Sequence, residues 1–264
     1  MIIDDIIEIS KRAGSIIKEG FGTTFKIEYK TNESNLVTEI DKASEELIIN
    51  FIKEKYPSHS ILAEEGGDVK KKSDYLWVVD PLDGTTNFAH GLPIFSVSIG
   101  VQKNNETIAA IVYDVMQDIV YSAEKGSGAF ANSEKIKVSK ENKLEHSLLV
   151  TGFPYNIAEN PEDAFERFTI LTKKSRGMRR LGSAAIDFCY LASGVFDGFW
   201  EVHLHPWDMC AGKLIAEEAG GIVTDFEGNS IDIFSKKILS TNNKIHKQII
   251  DLMEKINNQS EFHS

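Results

Sequence analysis

The segment 77–88, WVVDPLDGTTNF, runs an apolar stretch directly into two carboxylates, a proline, a glycine and two threonines. A strand that ends here carries Asp80 and Asp83 to the carboxyl edge of a sheet, where such folds usually place a site. Two unpaired anions are costly to bury. A hard divalent cation removes that cost, and oxygen donors are what Mg²⁺ selects. Gly84, Thr85 and Thr86 then offer successive backbone N–H groups, and a short helix starting there aims its positive end at an anion. Acids suited to a metal beside amides suited to a phosphate imply phosphate chemistry. Composition alone also suits an ordinary turn, because Pro, Asp, Gly and Asn are the commonest turn residues.

Two further places offer acids. SILAEEG (60–66) is another apolar run that ends in carboxylates, Glu64 and Glu65, and HLHPWDMC (203–210) sets Asp208 at the start of a helix. Taken singly, Glu64 or Glu65 reads as a solvated surface acid and Asp208 as a helix cap. Together with Asp80 and Asp83 they could make a multi-metal cluster. His203 and His205, two apart, would share a strand face, but with one nearby acid they read as ordinary histidines rather than zinc ligands. Lys70, Lys71 and Lys72 read as a solvated loop that could also attract an anion. No GxxxxGK[ST] occurs, and Gly126-Ser127-Gly128 lacks a third glycine, so nucleotide-binding loops are not expected. Asp83-Gly84-Thr85 also suggests haloacid-dehalogenase phosphatases. In those the two acids stand two apart near the amino terminus, whereas here they stand three apart and mid-chain, which spoils their shared direction along a strand.

These residues need elements to hold them. Isoleucines at three- and four-residue steps predict an amphipathic helix over 2–20, and Ala43, Leu47, Ile48, Phe51 and Ile52 predict another over 42–56. Between them IEYKTNESNLVTEID reads as a mobile loop or hairpin. From Trp77 to about Ala123, short β-branched runs separated by Gly, Asn and Asp predict several strands. SLLV, a segment near Phe199, IVTD and ILST add strands, and helices are expected over 162–174, 182–194, 207–219 and 243–256. Helices first and a block of strands after them predict an α+β, layered fold. Residues 1–264 read as one catalytic domain in two packed halves, 1–145 with the metal motif and 146–264 with Asp208.

With 264 residues, 42% of them hydrophobic, the chain can bury a sizeable core. It has no apolar run long enough for a membrane span, and the acids of MIIDDIIEISKR stand where a signal peptide carries positive charge, so a soluble, cytoplasmic protein is expected. The net charge of −11 argues against nucleic acid and anionic membranes as partners. Cys189 and Cys210 lie in apolar helical segments and read as buried free thiols.

The blocks ILAEE (61–65), WVVDPLDGTTNF (77–88) and HPWDMCAGKLIAEEAGG (205–221), in this order and spacing, resemble the inositol monophosphatase family of Mg²⁺-dependent, lithium-sensitive phosphatases. LVTEIDKASEELI (36–48), GSGAFANSEKIKVS (126–139) and RRLGSAAIDF (179–188) extend the resemblance over nearly the whole chain. It implies the layered α-β-α-β-α sandwich of sugar phosphatases and a homodimer. It also implies two or three Mg²⁺ ions held by Glu64, Asp80, the Leu82 carbonyl, Asp83 and Asp208. By the same resemblance Thr85, supported by Asp41 and by Glu64, orients the attacking water. The amides of Gly84 and Thr85 hold phosphate, and Gly182, Ser183, Ala184 and Glu201 face the alcohol, with Leu82, Asp83 and Asp208 also touching substrate. The implied substrate is a small phosphate monoester, first of all myo-inositol monophosphate. Fructose 1,6-bisphosphate, NADP(H) and nucleotide phosphates are the alternatives, and a non-catalytic regulator on the same scaffold, associated with a phosphometabolite or with RNA, is a second class. Arg179 and Arg180 could meet a second phosphate or serve structure, and Lys30 could close the site over a metal.

Overall fold

The computed structural model describes residues 1–30 and 35–260. Helix α1 (Ile2–Gly20) follows from its isoleucines: Ile3, Ile6, Ile9, Ala13 and Ile17 form one buried stripe. A hairpin of β1 (Ile27–Tyr29) and β2 (Leu36–Thr38) comes next, with Ile27 opposite Thr38. The chain joining its strands lies outside the described residues, and so does that part of the mobile-loop expectation. Helix α2 (Glu39–Lys55) begins earlier than its apolar repeat predicts, because Thr38 caps it. Thr38 Oγ1 accepts from the amides of Ile40 and Asp41, while the Asp41 carboxylate accepts from the Thr38 amide at 2.9 Å. That T-x-x-D pattern stands plainly in the sequence.

Strands β3 (Ser60–Ala63), β4 (Tyr75–Asp83), β5 (Ser96–Lys103), β6 (Glu106–Asp114), β7 (Ile119–Glu124), β8 (Gly128–Ala131) and β9 (Glu134–Lys135) lie side by side in chain order as one sheet. Only β3 and β4 run parallel in it. The short helix α3 (Thr85–Ala89) leaves the end of β4. A second sheet has the order β11-β10-β12-β14-β13, built from β10 (Leu148–Thr151), β11 (Gly177–Arg179), β12 (Gly198–Val202), β13 (Ile222–Thr224) and β14 (Lys237–Thr241). Helices α4 (Ala164–Lys174), α5 (Ala184–Ala192), α6 (Pro206–Glu218) and α7 (His246–Ser260) alternate with these strands.

The alternation of strand side chains makes the layers. On β6, Ile111 and Tyr113 pack with the isoleucines of α1 and α2, while Ala110 and Val112 face Ala185, Cys189, Ala211 and Ile215 of α5 and α6. The far side of α5 and α6 packs Phe188, Leu191 and Met209 on Val150 and Phe199 of the second sheet. Its outer face is covered by α4 and α7 through Leu171, Ile249 and Met253. The order is therefore helix, sheet, helix, sheet, helix, the layered sandwich expected. The central helices approach closely because the residues beneath them are small: a Cβ on Gly100 would stand 2.4 Å from Cys210 Sγ. Cys189 and Cys210 are free and buried, as read from their segments. Strands β8, β9 and β11 were not anticipated, since each is short and mostly half-exposed and gives no clear period-two signal. No described helix is long and apolar enough to cross a membrane.

Candidate active site

The end of β4 departs from a regular strand. Asp80 pairs with Ser98 and Asp83 with Ser96, so three steps on β4 match two on β5. That is a one-residue bulge, at Pro81 and Leu82, where the proline has no N–H to give the ladder. Residues three apart in a regular strand point to opposite faces; the extra residue brings Asp80 and Asp83 back to one side. The alternation argument drawn from the sequence therefore fails at this point, although the haloacid-dehalogenase reading it dismissed stays dismissed on the comparisons below. Two hydrogen bonds fix the bulge: the Leu82 amide donates to Asp80 Oδ1 at 3.0 Å, and Ser44 Oγ of α2 donates to the Pro81 carbonyl at 2.9 Å.

Asp208 reaches the same place from the first turn of α6, where Pro206 opens the helix. It is a cap as well, accepting from the His205 amide at 2.7 Å. One carboxylate oxygen from each of Asp80, Asp83 and Asp208 lies within 4.8 Å of the others. Burial first, then Glu64, Asp83 and Asp208, holds Asp80 well above the ordinary carboxylate range. Burial likewise raises Asp208, with Glu64 and Asp83 adding to it. Burial raises Asp83 to about 6, although Ser183 Oγ and the Ala185 amide, at 2.9 Å, donate to it and favour its charge. Buried Asp80 and Asp83 and half-buried Asp208 disfavour one another's ionisation and form an all-oxygen set suited to a hard cation, so they could hold a metal ion.

Glu64 lines the same cavity but stands outside the three-acid group. Its amide donates to the Val79 carbonyl at 3.2 Å, and its carboxylate is paired with Lys30 Nζ at 2.8 Å. Lys30 also pairs with Glu65; burial opposes its charge, but the two glutamates outweigh that and raise it. Glu65 itself is pushed by burial up to about 7. The loop that carries both acids is clamped by Glu45 of α2, which accepts from the amides of Glu65 at 2.7 Å and Gly67 at 3.0 Å. The sequence reading did not single out Glu45. Its signal was present, because Asp41, Ser44 and Glu45 share the buried stripe of α2 with Ile48 and Ile52.

Gly84 turns the chain from β4 into α3 with φ 96°, and a Cβ there would stand 3.0 Å from the Ile94 carbonyl. Thr85 Oγ1 lies 2.8 Å from Asp41 Oδ1 and 3.0 Å from the Leu82 carbonyl. Asp41 is fully buried, and its second oxygen accepts from Thr38.

A cavity of about 800 Å³ opens over these groups and brings in residues of both sheets. Gly182, Ser183 and Ala184 line it at the start of α5, with Glu201 of β12 and Phe153, Tyr155 and Ile157 of the 152–161 segment. Glu201 is buried, which pushes its carboxyl up to about 8, with Asp83 adding to the effect and Arg180 opposing it. Its carboxylate lies where residue 152 has no side chain, since a Cβ on Gly152 would stand 2.2 Å from Glu201 Oε1. Arg180 lies over the Phe153 ring at 5.6 Å and lines the cavity, whereas Arg179 does not. Asp187 also lines it and was not singled out from the sequence. His203 and His205 do so too, but not as a strand pair, because β12 ends at Val202 and His203 takes a left-handed φ of 59°.

The fold and its buried acids define the class first: the solved structures that this one resembles are phosphatase-fold proteins. An inositol monophosphatase from Anabaena superposes with a TM-score of 0.87 at 40% identity, covering 96% of this chain and 95% of that one. A SaIMPase-II structure with inositol monophosphate bound superposes with a TM-score of 0.82 at 33% identity, over 97% of this chain and 95% of that one. Among sequences, the chloroplastic phosphatase IMPL1 of Arabidopsis thaliana is 42% identical over 94% of this chain and 68% of its own. The Nus factor SuhB of Pasteurella multocida is 39% identical over 94% of each. Residues 2–258 match the inositol monophosphatase family, and the chain belongs to that family of phosphoric monoester hydrolases.

Proposed function

We propose that this chain hydrolyses a small phosphate monoester with Mg²⁺, and that myo-inositol monophosphate is its foremost substrate. The observation that carries this reading is the meeting of Asp80, Asp83 and Asp208 within 4.8 Å under a cavity that Glu201 also lines. Two or three ions would be held by Glu64, Asp80, the Leu82 carbonyl, Asp83 and Asp208. Bound there, Mg²⁺ neutralises the acids and the phosphate oxygens and makes water more acidic.

The chain's own groups do the rest. The amides of Gly84 and Thr85 hold the phosphate, with Leu82, Asp83 and Asp208 beside it. Asp41 accepts the Thr85 hydroxyl proton in a hydrogen bond, which leaves the Thr85 oxygen free to accept from the attacking water and aim it at phosphorus. As the water oxygen bonds to phosphorus, the ester P–O bond breaks and the alcohol leaves with a proton. Positioning and charge neutralisation suffice for such a transfer, and no protein nucleophile is needed. Gly182, Ser183, Ala184 and Glu201 face the alcohol, and a carboxylate such as Glu201 accepts well from neighbouring hydroxyls.

One catalytic domain of two packed halves, 1–145 and 146–264, belongs to the same reading, supported by the way α5 and α6 pack against both sheets. So do a cytoplasmic homodimer and lithium sensitivity. Phosphate release from inositol 1-phosphate, fructose 1,6-bisphosphate, NADP and adenosine 3',5'-bisphosphate tests the proposal. We expect inositol 1-phosphate to lead, with activity lost in EDTA and in Asp83→Asn. A tenfold preference for fructose 1,6-bisphosphate would remove the inositol assignment and leave the metal chemistry. A second reading, binding on the same scaffold, rests on the relative named a Nus factor. The expectation of no nucleic-acid partner finds no support in that comparison. Full binding function retained in an Asp83→Asn protein that releases no phosphate would favour it.

A further inference from the structure

Helix α5 begins at Ser183, whose hydroxyl accepts from the Ile186 amide. One turn further on, Asp187 stands on the same helix face as Ser183 and Ala184. Like them it lines the cavity. It is 1% exposed, and its Oδ1 has no hydrogen-bond partner, the only buried carboxylate oxygen among the described residues of which that is true. A buried polar atom left unpaired is expensive, and native interiors rarely keep one without a use. Glu201 faces the same cavity from β12, and Arg180 lies at its side. Burial holds the Asp187 carboxyl well above its ordinary range, with Glu201 and Asp83 adding to the effect and Arg180 opposing it. A carboxyl accepts hydrogen bonds from hydroxyl groups and, in the neutral form that burial favours, donates one as well. It suits uncharged hydroxyl groups and offers nothing to an aryl ring.

We propose that Asp187 is a specificity-determining residue whose unpaired oxygen bonds a hydroxyl of the leaving alcohol, so that the cavity selects phosphate esters of neutral polyols. This rests on the phosphatase reading above. The test compares kcat/KM for myo-inositol 1-phosphate and for phenyl phosphate, in Mg²⁺, using the full chain. In Asp187→Leu, which keeps the branched shape without polar atoms, the inositol-to-phenyl ratio should fall about tenfold, mainly through KM for the inositol ester. Asp187→Asn keeps a donor and an acceptor in the same shape and should hold the ratio within about threefold. If Asp187→Leu does not fold, Asp187→Ala carries the same expectation. A ratio unchanged in the truncated variant, or a parallel loss on both esters, overturns the proposal, the latter by showing that Asp187 merely supports α5. A ratio that falls as far in Asp187→Asn overturns it too. A wild-type protein that cleaves neither ester removes the phosphatase reading itself, an outcome distinct from these.

Discussion

Replacing Asp83 by Asn should abolish activity and yet make the metal-free protein more stable. One oxygen from each of Asp80, Asp83 and Asp208 lies within 4.8 Å of the others. Two full charges at that separation repel by roughly 3.5 kcal/mol at an effective dielectric constant of about 20. Protonation relieves part of this, since burial raises the Asp83 carboxyl from 3.8 to about 6. An acid raised in the folded state binds its proton more tightly there than in the unfolded chain. Stability therefore falls as pH rises through that window and stays lower above it. Asparagine removes the charge while still accepting from Ser183 and Ala185, at the expense of about 1 kcal/mol of charge-assisted bonding. The balance is a gain of about 2 kcal/mol at pH 8 and a smaller one at pH 5. Urea unfolding of both proteins in EDTA measures it. A repeat in millimolar Mg²⁺ should stabilise the wild type strongly and the variant little. A variant less stable than wild type at pH 8 in EDTA, or one stabilised equally by Mg²⁺, would refute the claim that these acids are mutually repelling metal ligands.

Two further substitutions separate chemistry from support. Thr85→Ala should lower kcat by about 10²- to 10⁴-fold with KM changed only severalfold, and Thr85→Ser should recover most of it; steady-state kinetics on inositol 1-phosphate decides, and a variant of full kcat removes Thr85 from the proton path. Glu45→Ala leaves the amides of Glu65 and Gly67 without their acceptor. It should cost about 1–3 kcal/mol in urea unfolding and raise the Mg²⁺ concentration needed for half-maximal activity, so an unchanged metal requirement would break the link between that clamp and the acids of the loop.

Several parts of the fold were legible because they are local. The isoleucine stripe of α1, the apolar run into Asp80 and the Pro206-Trp207-Asp208 helix start each declare themselves within a few residues. The Thr38 cap of α2 is just as local, its partner Asp41 three residues away, but the apolar repeat put the helix start at 42 and the cap was missed. The short strands β8, β9 and β11 were missed because their neighbours, not their own composition, make them strands. The Glu45 clamp was also missed, since an acid on a buried stripe has meaning only once the loop it holds is in place. Lys30, offered as a residue that closes the site over a metal, pairs in this fold with Glu64 and Glu65, a contact between segments that no local pattern records.

By itself the sequence determined the layered class and singled out the acids that could hold a metal, because residue type and short-range spacing dictate helix stripes, strand ends and caps. Only the tertiary structure decided how those acids meet. The one-residue bulge at Pro81 and Leu82 turns Asp80 and Asp83 to one side, and α6 brings Asp208 to them across more than a hundred residues of chain. It also decided that Asp187 lies buried in the cavity wall with an oxygen unpaired. Register breaks and the docking of a helix on a sheet are settled by packing between distant segments, and no local pattern of residues records them.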